Sequence, residues 1–285
     1  MKSISFEILQ KDTLLKFLSE MSVLTKSLLL EIDLQKDLII AKAGSDYEII
    51  TFRKDELKLS EVLKFNKESD IPVEKIKGRI ILLIFDLNTL VKTIRKFVSD
   101  GDVFVFKHDN FNAVANRKAA RLENTATVID VPSIDITNMF IQTKGKLETT
   151  FTFLCGEIKD FVYFSDALIE EMNSKDKYQF NVISDEEELK RLLELSNTFS
   201  NINENINIKA EDKTVTFTDG NWKFALNDSK VEGSGELSMS IPSKALKEVG
   251  VSPNYPLLKI GDRLTFTDKE EKTLLMIANL EESYA

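Results

Sequence analysis

The sequence predicts an α+β protein with two similar domains, each of which has two helices packed on antiparallel sheets. Three observations support this prediction: a strand-helix-sheet pattern occurs four times, its strands alternate with period two, and each copy has one amphipathic helix. At 285 residues the chain is long enough for two hydrophobic cores. We therefore predict an N-terminal domain at 1–135, a crossover that begins the second domain at 136–176, and a C-terminal domain at 177–285.

The clearest copy of the pattern occupies residues 178–227. Ser184 followed by Glu187 has the spacing of a capping box, which predicts the start of a helix. Apolar residues then recur at helical spacing, and after the helix they alternate with polar ones, which predicts three short strands joined by tight turns. The apolar side of the predicted helix consists of Leu189, Leu192, Leu193 and Phe199.

The other three copies have the same order of elements. In the second copy, an apolar strand at residues 80–85 precedes Asp86, which we predict as the N-cap of a helix at 87–99. The copy that opens the chain has a helix at about residues 12–24 followed by three strands, and the last copy has a short helix and a final hairpin. The pattern therefore predicts four helices, each lying across a small antiparallel sheet.

The composition predicts a soluble intracellular protein. No stretch approaches the roughly 18 apolar residues of a membrane span, and the N-terminus lacks a signal-sequence pattern. We therefore expect a cytoplasmic location, in the host cytoplasm if the protein is viral. The single cysteine, Cys155, excludes an internal disulfide framework. With 47 acidic against 38 basic residues the formal net charge is -9, which argues against a general nucleic-acid coat.

The positive charge is unevenly distributed among the predicted helices. On the second helix Lys92, Arg95 and Lys96 share the side opposite the apolar face, and no acidic residue follows the cap. A solvated helix of an acidic protein more often places Glu four residues from Lys. The unpaired basic side therefore indicates an anionic partner outside the chain.

The other helices carry weaker versions of this signal. Lys190 and Arg191 have glutamates four residues away, so a solvated face with local ion pairs explains them as well as phosphate binding does. A single basic pair usually serves solubility, but a cation on the polar side of all four helices favours a common anionic ligand. The basic residues on the first, third and fourth helices are Lys16, Lys190, Arg191, Lys244 and Lys247.

Two stretches carry a resemblance to a known family. NINIKAEDKTVTFTDGNWKFALN, which follows the helix SDEEELKRLLELS, is similar to the second-domain pattern of the PCNA-like and phage DNA sliding clamps, the ring-shaped polymerase processivity factors. ILLIFDLNTLVKTIRKFVSDGDVFVFKHDN resembles the second unit of their first domain. The likeness covers nearly the whole chain except the middle segment, which is longer than the linker of the family. It implies a DNA-clamp fold and a processivity factor that encircles duplex DNA without sequence specificity and tethers the replicative polymerase.

The resemblance also implies a head-to-tail homotrimer whose helices line a central hole, with the DNA polymerase and a clamp loader as partners. Eight residues would then contact double-stranded DNA: Lys16, Lys92, Arg95, Lys96, Lys190, Arg191, Lys244 and Lys247. An edge strand at residues 122–131 would pair with one at 222–226 of the next subunit, through Leu122, Val128, Trp222 and Phe224. Trp222 fits an ordinary core position equally well. A client peptide would dock on Ile134, Ile136, Met139, Phe140, Ile277 and Leu280.

Candidate catalytic residues are few. His108 lies in a predicted hairpin turn, where an exposed turn residue is a simpler explanation than a general base or metal ligand. Cys155 follows an apolar strand, which favours a buried small residue over a nucleophile. No phosphate-binding loop or dinucleotide motif occurs. We therefore expect no enzymatic activity, no metal and no cofactor.

The competing hypothesis is a β-rich interaction scaffold that forms no ring, or a viral structural adaptor. Such a protein would have the same repeats and the same acidity. The many Lys, Asn, Ile and Phe residues suggest an AT-rich genome and favour a phage or another virus as the source. The two hypotheses differ in whether the chain oligomerises and whether the basic residues meet on one surface.

Overall fold

The computed structural model describes residues 2–22, 27–44, 51–67, 69–76, 78–108, 117–118, 128–129, 133–144, 148–156, 169–170, 174, 177–199, 204–249, 257–268 and 274–279. The chain divides into two compact units. Unit 1 comprises Met1–Ala43 and Asp55–Glu170, and unit 2 comprises Gly44–Lys54 and Glu171–Ala285. The predicted crossover at 136–176 therefore contributes mostly to unit 1.

The first two copies of the pattern supply the elements up to β12. These are β1 (Lys2–Ile8), α1 (Lys11–Ser22), β2 (Leu28–Asp33), β3 (Leu38–Gly44), β4 (Thr51–Lys58), α2 (Leu59–Val62), β5 (Leu63–Phe65), a 3₁₀ turn (Val73–Lys75), β6 (Arg79–Ile84), α3 (Leu87–Phe97), β7 (Val103–His108), β8 (Arg117–Lys118), β9 (Val128–Ile129), β10 (Ser133–Ile136), β11 (Asn138–Gln142) and β12 (Thr150–Leu154).

The last two copies supply the remaining elements. These are β13 (Tyr178–Ile183), α4 (Glu186–Phe199), β14 (Asn205–Glu211), β15 (Thr214–Thr218), β16 (Lys223–Leu226), β17 (Lys230–Gly233), β18 (Glu236–Pro242), α5 (Ser243–Val249), β19 (Leu257–Gly261), β20 (Arg263–Thr267) and β21 (Leu274–Ala278). The order of a strand, a helix and three strands occurs in each copy, and α2, β5, β8, β9, β10 and β17 are additional to it. The predicted α+β fold is confirmed. Among the described residues no helix is long and apolar enough to cross a membrane.

Two larger sheets form the framework of unit 1. The first has the strand order β12-β11-β7-β1-β5 and is antiparallel throughout. The second contains β10-β6-β2-β3, in which β10 is parallel to β6 and the other pairs are antiparallel. The chain passes from β10 into β11 at Thr137, and there it changes from one sheet to the other.

One hydrophobic core joins both sheets of unit 1 to the helices α1 and α3. The helices lie next to each other and bury the apolar stripe that their sequences predict. Each large apolar side chain removed from water in this way contributes roughly 1.5–3 kcal/mol. The core includes Ile4, Phe6, Leu30 and Leu82 from the strands and Leu14, Phe17, Leu90 and Ile94 from the helices.

Four charged side chains are buried together in the second sheet of unit 1. The ammonium group of Lys42 on β3 lies 2.8 Å from Oε1 of Glu31 on β2, and Nη1 of Arg79 on β6 lies 2.6 Å from Oε2 of the same glutamate. Nε of Arg79 donates to Oδ2 of Asp33 at 3.2 Å. Two cations and two carboxylates thus neutralise each other within the sheet, as buried charges require.

Unit 2 repeats this architecture around its own core. Residues 51–54 of β4 pair with β21, and the sheet continues in the order β20-β19-β13-β17. A four-stranded sheet has the order β16-β15-β14-β18. The helices α4 and α5 lie next to each other, and their core includes Leu189, Leu192 and Leu246 from the helices and Phe180, Ile208, Phe217 and Phe266 from the strands.

The helix starts follow the predicted capping chemistry, with one shift. Oδ1 of Asp86 accepts a hydrogen bond from the backbone N–H of Thr89 at 3.0 Å, which confirms this residue as the N-cap of α3. Helix α4 begins at Glu186, so its cap position is Asp185, one residue after the predicted Ser184. Oδ1 of Asp185 accepts from the backbone N–H groups of Glu187 and Glu188 at 3.0 and 3.1 Å.

Candidate nucleic-acid interface and subunit edges

The basic side of α3 is the most strongly cationic helix surface among the described residues. Leu87, Leu90, Val91 and Ile94 are buried on its other side, which turns the cations outward. Their spacing of three and four residues places them on neighbouring turns of one helix face. The three exposed cations are Lys92, Arg95 and Lys96, and none of them forms an ion pair with a described residue.

The end of α3 is fixed to the start of α1. Nζ of Lys11 donates to the carbonyl oxygen of Arg95 at 3.1 Å, which satisfies a carbonyl group at the helix C-terminus. The backbone N–H of Lys11 donates to Oδ1 of Asp100 at 2.7 Å. The predicted DNA contact Lys16 is exposed on α1. Unit 1 therefore brings α1 and α3 together as one polar helix layer.

The helices of unit 2 present a mixed surface. Lys190 and Arg191 are exposed on α4, as predicted, but Glu186, Glu187 and Glu194 are exposed on the same helix. Lys244 is exposed on α5, whereas the side chain of Lys247 lies outside the described residues. The predicted cations thus fall into two groups, one strongly basic in unit 1 and one compensated by carboxylates in unit 2.

A carboxylate anchors the first turn of α4 to the loop that follows β16. Glu188 Oε1 accepts from the backbone N–H groups of Asn227 and Asp228 at 2.6 and 3.0 Å, and its Oε2 accepts from Oγ of Ser229 at 2.7 Å. Burial disfavours the charged form of this group, but the hydrogen bonds from the loop outweigh it and lower the pKa of Glu188. The start of α4 and the end of β16 are therefore held together.

In each unit, one strand ends its sheet and is also the last strand of its copy of the pattern. In unit 1 this strand is β12, on which Phe151 and Phe153 are half-buried and Leu154 is 74% exposed. In unit 2 it is β16, where Trp222 just before the strand and Phe224 within it are half-buried against the core. The sequence reasoning identified this second edge.

The predicted edge of unit 1 differs from the observed one. Leu122 lies outside the described residues, and Val128 belongs to β9, which pairs with β8 in a separate two-stranded sheet. The large sheet ends instead at β12, because β7 pairs with β11 and β11 pairs with β12. The missed signal was the alternating stretch TFTFL, which the sequence analysis placed in the crossover.

Most of the predicted client-binding residues that the structure describes fill the cores. Ile136, Met139 and Ile277 are buried, so they offer no apolar surface to a peptide. Phe140 is partly exposed on β11, and Nζ of Lys107 lies 4.5 Å from the centre of its ring. The side chain of Ile134 and the whole of Leu280 lie outside the described residues.

The residues considered for catalysis give no support to such a role. Burial raises the pKa of the Cys155 thiol to about 12, which disfavours the thiolate that a nucleophile requires. Its backbone N–H donates to the carbonyl oxygen of Thr137 at 3.1 Å, so the residue continues the strand. The side chain of His108 lies outside the described residues.

Three solved structures have a similar fold over nearly their whole length, and each comparison covers 98% of this chain. The PCNA2-PCNA3 complex from Sulfolobus tokodaii matches with a TM-score of 0.59 at 11% identity over 99% of its chain. The proliferating cellular nuclear antigen from Entamoeba histolytica matches with 0.59 at 12% over 99%. PCNA from Thermococcus kodakaraensis matches with 0.58 at 12% over 100%. No protein-family model and no curated protein sequence matches the chain.

Proposed function

We propose, from the PCNA-like DNA sliding-clamp fold that this chain has, that it forms a ring around duplex DNA and tethers the replicative polymerase as a processivity factor. The ring would be a homotrimer placed on DNA by a clamp loader, and the chain itself would act as a scaffold with no catalytic step. One observation carries the proposal: α3 of this clamp fold presents Lys92, Arg95 and Lys96 to solvent without a carboxylate in the helix.

The positive charge of α3 is compatible with a DNA duplex that slides through the ring. Duplex DNA carries one negative charge per about 1.7 Å of its axis, so lysine and arginine attract it at every position. Phosphate contacts of this kind hold the duplex without reading base edges. The net charge of -9 leaves other surfaces acidic, which disfavours DNA binding there. These properties support sequence-independent sliding.

The internal repeat supports ring closure. In unit 2, β21, the last strand of the fourth copy, pairs antiparallel with residues 51–54 of β4, the last strand of the first copy. The equivalent last strands of the second and third copies are β12 and β16, and both are open edges. We propose that β12 of one subunit pairs with β16 of the next in the same way. Such a head-to-tail contact closes into a ring when its rotation permits.

The side chains at the open edges fit this pairing. Phe151 on β12 lies opposite Ile141 on β11, just as Leu275 on β21 lies opposite Phe266 on β20. Leu275 is fully buried, whereas Phe151 is only half-buried. A strand paired with β12 would cover the exposed part of Phe151. The ring of Phe97, which is 58% exposed at the end of α3, lies 5.3 Å from that of Phe151. Exposed apolar surface at a strand edge favours an interface.

The edge of β6 in unit 1 is already covered. β10 pairs with Arg79–Leu82 of β6, and the backbone N–H of Gly156 donates to the carbonyl oxygen of Leu83 at 2.8 Å. The backbone of Cys155 forms an antiparallel β-bridge with the backbone of Ile84. With β6 closed along its length, β12 is the favoured edge for a second copy.

For the polymerase we retain, of the residues that the resemblance indicates, the segment 134–140 and its neighbours in unit 1. Among their described side chains, Phe140 provides accessible apolar surface and Lys107 provides a neighbouring positive charge. An apolar anchor beside a charge suits a short peptide with an aromatic or aliphatic side chain next to an acidic one.

Retention on DNA tests the proposal. The protein, loaded with its loader where needed, should stay on closed circular duplex DNA and dissociate rapidly once the circle is cut, because a ring leaves only over a free end. The triple variant K92A/R95A/K96A should lose retention increasingly as salt rises. K64A/K67A/K75A, which removes three exposed lysines of unit 1 that lie outside α1 and α3, is the charge-matched control. Equal retention on circular and linear DNA would overturn the proposal.

A further inference from the structure

We infer that the duplex is attracted mainly to α3 of each subunit and is repelled by the exposed carboxylates of α4, so that the two units contribute unequally to holding it. This inference rests on the proposed clamp function and specifies which part of the helix layer carries the contact. In this arrangement the positive charge is not evenly distributed around the ring, because α3 attracts the duplex and α4 repels it.

The compositions of the two helices are opposite. Helix α3 contains three basic residues and no acidic one, whereas α4 contains two basic residues and four glutamates. Both helices are amphipathic, and both expose their charged side chains. The difference in charge is therefore a difference between two solvent-facing surfaces.

The acidic residues next to α3 accept hydrogen bonds from backbone N–H groups. Asp86 accepts from Thr89, Asp100 accepts from Lys11, and Oδ2 of Asp102 accepts from the backbone N–H of Ser99 at 2.8 Å. These carboxylates thus bind backbone N–H groups at the start of α3, at the start of α1 and just after the end of α3. No acidic residue lies within α3 itself, so its cations keep their field available to a phosphate.

The cations of α4 have carboxylates at close spacing instead. Glu186 precedes Lys190 by four residues, Glu187 precedes Arg191 by four, and Glu194 follows Lys190 by four. Side chains at this spacing are neighbours on a helix surface. A phosphate that approaches Lys190 therefore also approaches two glutamates, and their repulsion cancels the attraction at distances within the Debye length, about 10 Å at 0.1 M salt.

Two of the five acidic residues in α4 and at its cap have structural roles, but three do not. Asp185 caps the helix and Glu188 binds the loop at 227–229. Glu186, Glu187 and Glu194 are exposed and form no ion pair with a described residue. Their charges are therefore available to repel a polyanion and can be removed without breaking a described contact.

Equilibrium binding of the full-length protein to a labelled short duplex tests this inference. The variant E186Q/E187Q/E194Q should bind about three- to tenfold more tightly than the parent at roughly 50 mM salt, and the gain should shrink as salt rises. The control E211Q/E232Q/E236Q changes the net charge by the same amount on strands of unit 2. It corrects for the general loss of acidity, so the gain is measured against it.

The outcomes separate this inference from the function on which it rests. If the parent is not retained on closed circular duplex DNA in the retention test above, the clamp proposal fails and the inference fails with it. If the parent binds and the α4 variant gains no more than the control, the inference alone is overturned. Circular dichroism and thermal unfolding of each variant establish that the fold is retained.

Discussion

Nη1 of Arg79 lies 2.6 Å from Oε2 of Glu31, and this contact joins β6 to β2 within a sheet whose faces are both buried. The other oxygen of Glu31 lies 2.8 Å from Nζ of Lys42 on β3. One carboxylate therefore links three strands. Because it is fully buried, the two cations beside it depend on its charge.

Replacing Glu31 with Gln should lower the free energy of unfolding by about 3–5 kcal/mol, because it leaves buried positive charge without its counter-ion. Urea denaturation measures the change. Glu61→Gln is the control, since Glu61 and its partner Lys58 are both exposed and lie 4.0 Å apart, and it should change stability little. Equal effects of the two substitutions would contradict the structural role of the network.

Replacing Leu154 with Glu should weaken self-association without unfolding the subunit. The side chain is 74% exposed in the single chain, but in the proposed contact it would place a charge at the β12 edge. Sedimentation at several concentrations should show three copies for the parent and a shift toward the monomer for the variant, because weak oligomers dissociate on dilution.

Val73→Glu provides the matched control for this experiment, since Val73 is also an exposed apolar residue but lies on the 3₁₀ turn. It should assemble like the parent. A parent that stays monomeric at high concentration would instead favour the scaffold hypothesis.

The stability that Glu188 provides should depend on pH. Because hydrogen bonds from residues 227–229 lower its pKa below the ordinary value of 4.5, its contribution is fully present above that value and is lost as pH falls through the lowered pKa. The parent should therefore unfold at a higher temperature than Glu188→Gln at pH 7, and the difference should be smaller at pH 3. A difference that is the same at both pH values would contradict this account.

The Cys155 thiol should be unreactive in the folded protein. With a pKa of about 12, only about one molecule in ten thousand carries the thiolate at pH 8. An aromatic disulfide reagent should label the native protein very slowly and the urea-unfolded protein rapidly, with one thiol per chain. Rapid labelling of the native state would show that the strand around Cys155 opens.

Local patterns were sufficient to predict most elements of the fold. The cap at Asp86, the apolar stripe of α3 and the alternation in β14 and β15 are properties of adjacent residues, and all of them occur in the structure. The exposure of Lys92 also followed from helical spacing alone.

Long-range pairing was not predictable in the same way. About thirty residues separate β7 from its partner β11. This stretch contains two strands that pair with each other, β8 and β9, and their sequence suggests a continuation of the large sheet. Ile136 and Met139 read as an exposed apolar cluster, but the chain changes sheets between them, so both face the core. A sequence specifies alternation along a strand, but the partner of that strand depends on the rest of the fold.

The two open strand edges are unlike each other, and this difference gives an assembly a direction. In the ring that we propose, each β12 can meet only a β16, so no subunit can be inserted upside down. The front and back of the ring are then chemically distinct, and an enzyme attached to one of them always points the same way along the duplex.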